Sequence, residues 1–578
     1  MTDKAGNVDS LSIALFGKGG AGVITAGEML LAAAARAGLY GMMIRAVGPQ
    51  IRGGESAALI RLGRAPVNCL DDRFDVLLAI DWKHAERLLG DVLLDANSVV
   101  VTDPEEAGIP ESIGAVGAEV RELPLAELAA SIEGGRANMV ALGYLAAVAG
   151  VPRKAVNEAI EKKLDRKGRQ SVEASIDAAK LGYTEAGDSK TATQDTINGD
   201  ADSRWMISGN HATGLGAMRG GIRFAAAYPI TPATEILEWL APRLNDAGGT
   251  LSQAEDELAS INMVIGASYG GIPSLTATSG PGLSLMIESI GLAVCAEIPL
   301  VIVNVMRAGP STGIPTSSEQ SDFNSAVYGV HGDAPHIVVA PNSVTDCVYT
   351  TQWAVHLAEA TQAPVIVLSD QFIGQANVIA EPIPEITFFA KRKLAQNISD
   401  EFERYAITAD GISPMPLPGM PGGQYTADGL EHSPQAVPSG MASNHNEQLD
   451  KRARKISNFD YGQHWADIEG DGDLAILSWG STTSVAREAI GRLPEKLARR
   501  LKLISPRLLL PVRPDEMAAA LDGVSRIMVI EQNHSGQFYR FLRAWYELPA
   551  DIATLHRPGP SVFRPGEIVD AILEWSKE

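Results

Sequence analysis

The 578-residue sequence has only three cysteines, Cys69, Cys295 and Cys347, far apart and with no CxxC pair. That excludes a disulfide framework and leaves no cysteine run able to hold a cubane iron–sulfur cluster. The ten histidines form no HxxxH or HExxH pattern. No metal site is read from them, and His331 and His534 are taken as packed or hydrogen-bonding residues. Basic charge is in deficit, with 48 Lys and Arg against 70 Asp and Glu and a net charge of −22. A binder of nucleic-acid backbones is therefore not expected. No apolar run is long enough to cross a bilayer, so no membrane role is expected. The polar start, Met1-Thr-Asp-Lys-Ala-Gly-Asn7, is not a signal peptide, and a cytoplasmic location is expected. Gly470-Asp-Gly472 begins like a thiamine-diphosphate metal motif, but no Asn follows it before Asn533 to complete a Mg²⁺ shell. It reads as a turn, and the chain has no diphosphate–metal site of its own.

What is present is a sequence rich in Gly and Ala, long enough for three to four domains at roughly 150 residues each. Residues 1–184 alternate short apolar strands with Ala/Leu helices, beginning with the strand Leu11–Phe16 and a helix to about Ala37. Residues 185–204 are almost free of apolar side chains and read as a linker. Residues 205–380 form a second alternating unit. Residues 381–470 are rich in Pro and Gly and read as an arm, interrupted by one charged helix near 447–455. Residues 471–578 alternate again. The expectation is an α/β protein of three units with parallel or mixed sheets.

Chemistry concentrates between Gln253 and Gln320. Glu255 and Glu257 precede a helical stretch. They are either carboxylates that favour a helix dipole or acids placed to share a proton with a ring nitrogen. Arg307 follows the apolar strand Pro299–Asn304 and opens the loop Gly309-Pro-Ser-Thr-Gly-Ile-Pro-Thr316. Its fork suits a substrate carboxylate, with Ser311, Thr312, Thr316 and Ser317 close in sequence; pairing with an acidic neighbour is the other reading. Tyr228-Pro-Ile-Thr-Pro232 presents Thr231 on a proline-stiffened turn, or is simply a turn. Ligands of open α/β sheets sit at the carboxyl ends of strands, where these segments are expected. Gly17-Lys-Gly-Gly-Ala-Gly22 fits GxGxxG between a strand and a helix. The second strand ends near Arg45 rather than in an acid that would grip a ribose. The motif is thus a tight turn or a phosphate contact of another kind, such as the tail of a coenzyme.

Together, Tyr228–Pro232, Glu255-Asp-Glu257, Thr276-Ala-Thr-Ser-Gly-Pro-Gly282, Arg307–Thr316 and His331-Gly-Asp333 resemble the α subunit of the 2-oxoacid:ferredoxin oxidoreductases. Glu431-His432 and Glu531-Gln-Asn-His-Ser-Gly-Gln537 fit it too. The N-terminal unit, with Gly17–Gly22 and Arg52-Gly-Gly-Glu-Ser56, resembles the γ subunit of that family, fused here through the linker. The resemblance implies a γ-type domain, a pyrimidine-binding domain and a transketolase C-terminal-like domain. It implies thiamine diphosphate between this chain and a β subunit that carries Mg²⁺ and a [4Fe–4S] cluster, in an (αβ)₂ assembly. Glu257 would contact the aminopyrimidine ring, with Glu255 the second choice, and Tyr228, Pro229 and Ile230 would line the cofactor. Arg307 and Thr316 would hold the substrate carboxylate, Thr231 would stand near the ketone, and Ser311 and Thr312 share that loop. Lys18 and Arg52 are candidates for phosphate contact with coenzyme A.

The implied reaction is oxidative decarboxylation of a 2-oxoacid, with the acyl group passing to coenzyme A and electrons to ferredoxin. The loop and the γ–α fusion look most like the enzymes that turn 2-oxoglutarate into succinyl-CoA and CO₂. The alternatives are pyruvate or branched-chain 2-oxoacids, or a non-catalytic scaffold whose N-terminal unit holds a dinucleotide.

Overall fold

The computed structural model describes residues 10–48, 54–83, 90, 92–106, 108–187, 204–396, 398–399 and 401–577. The first stretch supplies strands β1 (Ser10–Lys18), β2 (Tyr40–Val47), β3 (Glu55–Gly63), β4 (Val76–Ala79), β5 (Val99–Thr102) and β6 (Glu119–Glu122). The second supplies β7 (Trp205–Ser208), β8 (Phe224–Ala227), β9 (Thr250–Gln253), β10 (Ser274–Thr278), β11 (Leu300–Met306), β12 (Ile337–Val339), β13 (Pro364–Asp370) and β14 (Asn377–Ala380). The last supplies β15 (Ala466–Glu469), β16 (Leu474–Ser478), β17 (Leu501–Pro506), β18 (Leu508–Leu510), β19 (Arg526–Glu531) and β20 (Asp551–His556). With the helices between them they build the expected α/β architecture on three sheets.

The sheets do not follow the stretches of chain. The first is ordered β6-β5-β4-β1-β3-β2-β14-β7, so both outermost strands of the 205–380 stretch belong to it. β14 pairs antiparallel with β2 and with β7. The second sheet is ordered β18-β12-β13-β11-β10-β8-β9 and borrows β18 from the C-terminal stretch. All its strands run parallel except β18. β11 and β13 are buried along their whole length, as the continuous runs Leu-Val-Ile-Val and Val-Ile-Val-Leu require of strands covered on both faces. The third sheet, β15-β17-β16-β19-β20, is parallel apart from β15. Gly470, with φ 81°, and Gly472 turn the chain between β15 and β16, the role read for that segment.

β1 lies between β3, antiparallel to it, and β4, parallel to it. β2 is one strand further out and bonds β3. A dinucleotide fold has its first two strands as parallel neighbours, so that an acid ending the second faces the ribose. That geometry is absent among the described strands, which counts against the scaffold alternative.

The arm is pinned down. Its charged helix, Ala442–Ser457, is longer than expected from the sequence and sends Lys451 and Lys455 onto Glu297, at 2.7 and 3.1 Å. All three side chains are almost fully buried. Arg404 of the arm donates to the Glu297 carbonyl and to Gln362 Oε1, both at 3.0 Å. Arg392 forks onto Glu359 at 2.7 and 2.8 Å. The first and last stretches meet through buried Arg61, which forks onto Glu488 at 2.7 and 2.8 Å. Arg492 adds bonds to Asp71 and Asp72, each at 2.8 Å.

Candidate active site

Because β8 to β11 and β13 are parallel, their carboxyl ends share one edge of the second sheet. β8 leads into Tyr228–Pro232, β9 into the helix Glu257–Tyr269, β10 into the helix Gly280–Cys295, and β11 into Arg307. Sequence segments up to 80 residues apart are gathered there, where an open α/β sheet binds its ligands.

The two acids of the Gln253 segment separate cleanly. Asp256 caps the helix, accepting from Ala259 N at 2.7 Å. Glu255 is exposed, whereas Glu257 opens the helix and is 7% exposed. Its side chain lies against Gly282: a Cβ there would come within 2.7 Å of Glu257 Cγ and 2.8 Å of Oε1, and would also collide with Thr278 Oγ1. Gly282 is therefore the wall that admits this carboxylate. Among the described residues nothing donates a hydrogen bond to it. A buried carboxylate at a helix N-terminus, with no protein donor, retains its acceptor capacity for a ligand.

A second cluster forms around Arg307, which is 8% exposed. Nη1 donates to the Thr231 carbonyl at 2.7 Å, which places the proline-stiffened turn against the guanidinium. Nε is buried and unpaired. Burial pushes the Arg307 pKa down, partly offset by the Asp322 charge. Asp322 is half-buried; desolvation raises its pKa, against lowering by a 3.0 Å bond from Asn304 Nδ2 and by the Arg307 charge. A Cβ on Gly280 would lie 2.6 and 2.7 Å from the two Asp322 oxygens. Gly280 and Gly282 thus bring Asp322 and Glu257 onto one turn, the start of the helix Gly280–Cys295.

The loop beyond Arg307 closes on itself, with Ile314 N donating to the Ala308 carbonyl at 3.0 Å and Ala308 N to the Ser317 carbonyl at 2.9 Å. Gly313, at φ 53°, is required because a Cβ would strike the Ala308 carbonyl. Ser311 and Thr312 are exposed at the tip and make no hydrogen bond to Arg307. Thr316 is half-buried and faces a cavity of about 80 Å³ shared with Arg45, Gln371, Gln375 and Arg564. Thr231 and Tyr228 are exposed, and Pro229 and Ile230 half-buried. Lys18 is exposed at the end of β1, where its N–H meets Asp81 at 3.1 Å; Arg52 lies outside the described residues.

Two readings change. His331 and His534 are exposed rather than packed, and neither makes a hydrogen bond among the described residues. His336 is the packed one, bonded at both ring nitrogens, to Ala334 and Ala326 carbonyls. The residues that sequence reasoning missed are Asp322 and Asn304. Their only signal was polarity: Asn304 interrupts an apolar strand, and Asp322 follows a hydroxyl-rich loop. Among the described residues no group of three His, Cys, Asp or Glu is placed to hold a metal ion, and no helix is long and apolar enough to cross a membrane.

Residues 215–451 match the family described as pyruvate flavodoxin/ferredoxin oxidoreductase, "thiamine diP-bdg", and residues 12–185 match pyruvate ferredoxin/flavodoxin oxidoreductase. Fold and site thus define an α/β oxidoreductase with a thiamine-diphosphate-binding domain. The 2-oxoglutarate synthase subunit KorA of Methanothermobacter marburgensis is 36% identical over 377 residues, 64% of this chain and 98% of that protein. That of Archaeoglobus fulgidus is 38% identical over 57% of this chain and 88% of its own length. The solved 2-oxoglutarate:ferredoxin oxidoreductase of Magnetococcus marinus, with 2-oxoglutarate, coenzyme A and succinyl-CoA bound, superposes with a TM-score of 0.89 at 34% identity, over 98% of this chain and 100% of that one. The chain belongs to the 2-oxoacid:ferredoxin oxidoreductase family.

Proposed function

We propose that the chain is the γ-fused α subunit of a 2-oxoglutarate:ferredoxin oxidoreductase, which makes succinyl-CoA and CO₂ and reduces ferredoxin, reversibly. Its partner in this reading is a β chain carrying Mg²⁺ and the [4Fe–4S] cluster, in an (αβ)₂ assembly in the cytoplasm. The observation that carries the reading is the end-to-end correspondence with a structure holding that substrate and product. The donor sets agree with it, since a buried acceptor, Glu257, and a buried cation, Arg307, follow strands of one parallel sheet at their carboxyl ends.

Glu257 fits the ring of thiamine diphosphate: its carboxylate is buried, at a helix N-terminus, and open to a proton-sharing nitrogen. When bound, the cofactor supplies the carbon nucleophile and the electron sink. The chain's own part is positional and protonic. Glu257 holds a proton at the ring nitrogen. Arg307, fixed by the Thr231 carbonyl, receives the carboxylate of the 2-oxoacid, and Thr231 stands beside the ketone. Thr316 closes the substrate side, with Ser311 and Thr312 at the rim. Tyr228, Pro229 and Ile230 line the turn against the cofactor. Lys18 and Arg52 are assigned to coenzyme A phosphates. Glu255, exposed beyond the helix cap, takes the lesser part.

The test is turnover by the complex purified from its native source, with coenzyme A and a viologen dye. We expect kcat/KM for 2-oxoglutarate to exceed that for pyruvate and for branched-chain 2-oxoacids by at least about tenfold, the size one well-read substrate group supplies. Preference for pyruvate would overturn the substrate assignment and leave the family intact.

A further inference from the structure

The turn that carries Thr231 is held from two sides. On one, Arg307 Nη1 donates to the Thr231 carbonyl at 2.7 Å. On the other, Asn210 Nδ2 donates to the Pro232 carbonyl at 2.9 Å and reaches Glu235 Oε2 at 3.3 Å. Asn210 is 1% exposed, and Gly374 leaves it room, since a Cβ there would stand 2.8 Å from Asn210 Oδ1. Glu235 lies in the first turn of the helix Thr234–Asp246, directly after the proline turn. Its Oε1 accepts from Arg45 Nη2, and Gln375 Nε2 stands 3.5 Å from the same oxygen. These three donors come from neighbouring strands at one end of the first sheet, where the order is β2-β14-β7. Arg45 is in β2, Gln375 stands just before β14, and Asn210 just after β7. Gln375 and Arg45 lie two residues beyond the ladder pair Asn377–Met43, and Gln375 and Asn210 two beyond Asn377–Ser208. The sheet therefore presents its donors in register to one carboxylate. Any exposed acid in the first turn would serve a helix dipole. A half-buried acid that collects a guanidinium and two amides from another sheet is fixed in place as well.

We propose that Glu235 is a positioning residue for substrate binding: held by Arg45 of the first unit, it locks the Asn210 amide on the Pro232 carbonyl and so fixes the Thr231–Pro232 turn that Arg307 meets from the other side. This rests on the reading of Thr231 and Arg307 as the residues that receive the 2-oxoacid. Glu235 touches no reacting atom, and no bond is made or broken there. Arg45 and Gln375 also line the small cavity that Thr316 faces, so the same two side chains border the far end of the Arg307 loop. The first unit thus contributes to substrate placement through β2.

The experiment is steady-state kinetics on the whole complex with saturating thiamine diphosphate, for wild type, Glu235→Ala, Arg45→Met and the double variant. Glu235→Ala is expected to lower kcat/KM for 2-oxoglutarate on the order of tenfold, within the loss of up to about 10² that a displaced positioning group causes. KM for coenzyme A is expected to change less than about twofold, since its binding does not pass through this turn. Arg45→Met is expected to lower kcat/KM for 2-oxoglutarate severalfold, and the double variant to match Glu235→Ala alone, because Arg45 acts through Glu235. An unchanged kcat/KM in Glu235→Ala or additive losses in the double variant would each overturn the proposal. So would an equal rise in KM for both substrates, which would mark a general loosening. Thr231→Ala and Arg307→Ala with unchanged kcat/KM would instead overturn the reading beneath it. If Glu235→Ala does not assemble, Arg45→Met decides, because its side chain is only half-buried, and no loss there would sink the proposal.

Discussion

At the residue scale the decisive contrast is between two acids two positions apart. Asp256, by capping the helix, turns the chain so that Glu255 points to solvent and Glu257 inward against Gly282. Glu257→Gln keeps the shape and removes the exchangeable proton. It is expected to leave thermal unfolding unchanged and to lower decarboxylation by about 10²–10⁴, the range of general acid–base catalysis. Single-turnover CO₂ release with saturating cofactor measures it, and full activity would remove Glu257 from the proton path. Glu255→Gln is expected to stay within about twofold, as for an exposed side chain off the reacting centre. The sequence offered Glu257 and Arg307 as candidates because each stands where an apolar strand or helix begins or ends, and such boundaries show in hydrophobic patterning. The packing of Asp322 against Gly280 did not show, because the two stand some forty residues apart and patterning carries no long-range contacts.

At the element scale the long strands and helices follow their apolar runs closely. β1 and β11 fall within two residues of the expected spans, Leu11–Phe16 and Pro299–Asn304. Among the strands not expected are β7, β14 and β18, three or four residues each, too short for a period to register. The arm escaped for another reason: its anchor joins Glu297 to Lys451 and Lys455 across about 150 residues. Burial alone would push the Glu297 pKa up, but Lys455, Lys451 and Arg404 outweigh it and hold it below the ordinary glutamate range. A carboxylate whose folded pKa is depressed contributes stability that is complete above its unfolded value and is lost as pH falls below it. The unfolded reference is 4.5, so the contribution of this cluster should fade progressively below about pH 4.5. Glu297→Ala leaves two lysines buried without their partner and is expected to cost about 3–5 kcal/mol at pH 7. Denaturant titrations at pH 7 and pH 4 check both points, since the gap between variant and wild type must narrow at the lower pH. A constant gap would mean that Glu297 is not the ionised anchor.

At the scale of the whole molecule, three α/β units joined by a linker and an arm would ordinarily be expected to move and unfold separately. The strand exchanges argue otherwise. β14 and β7 continue the first sheet from the second stretch of chain, and β18 continues the second sheet from the third. One buried cluster includes Phe16 and Met42 of the first stretch with Ile207, Val348 and Phe372 of the second. Another spans the second and third stretches, from Val303 to Trp479 and Phe538. Holding the first unit to the third is the Arg61–Glu488 fork, with Arg61 only 1% exposed. A protease site engineered into residues 188–203 provides the test. After cleavage the two fragments are expected to co-elute in size exclusion and to unfold in a single transition, because the sheet and core contacts that join them do not depend on the peptide linking them. Adding Glu488→Ala to the cleaved protein leaves Arg61 with Asp71, at 3.6 Å, as its remaining acid beside the Ser10 hydroxyl and the Cys69 carbonyl, all in its own fragment, and is expected to weaken the association by about 3–5 kcal/mol. That loss is read as dissociation on dilution. Fragments that separate on cleavage alone would show that the shared sheet does not hold the units together. Two resolved transitions in the uncleaved chain would show that each unit folds on its own core. Co-elution together with dilution-dependent release in the Glu488→Ala form would establish that β7, β14 and one buried arginine hold the first unit in place without the peptide that joins it to the rest.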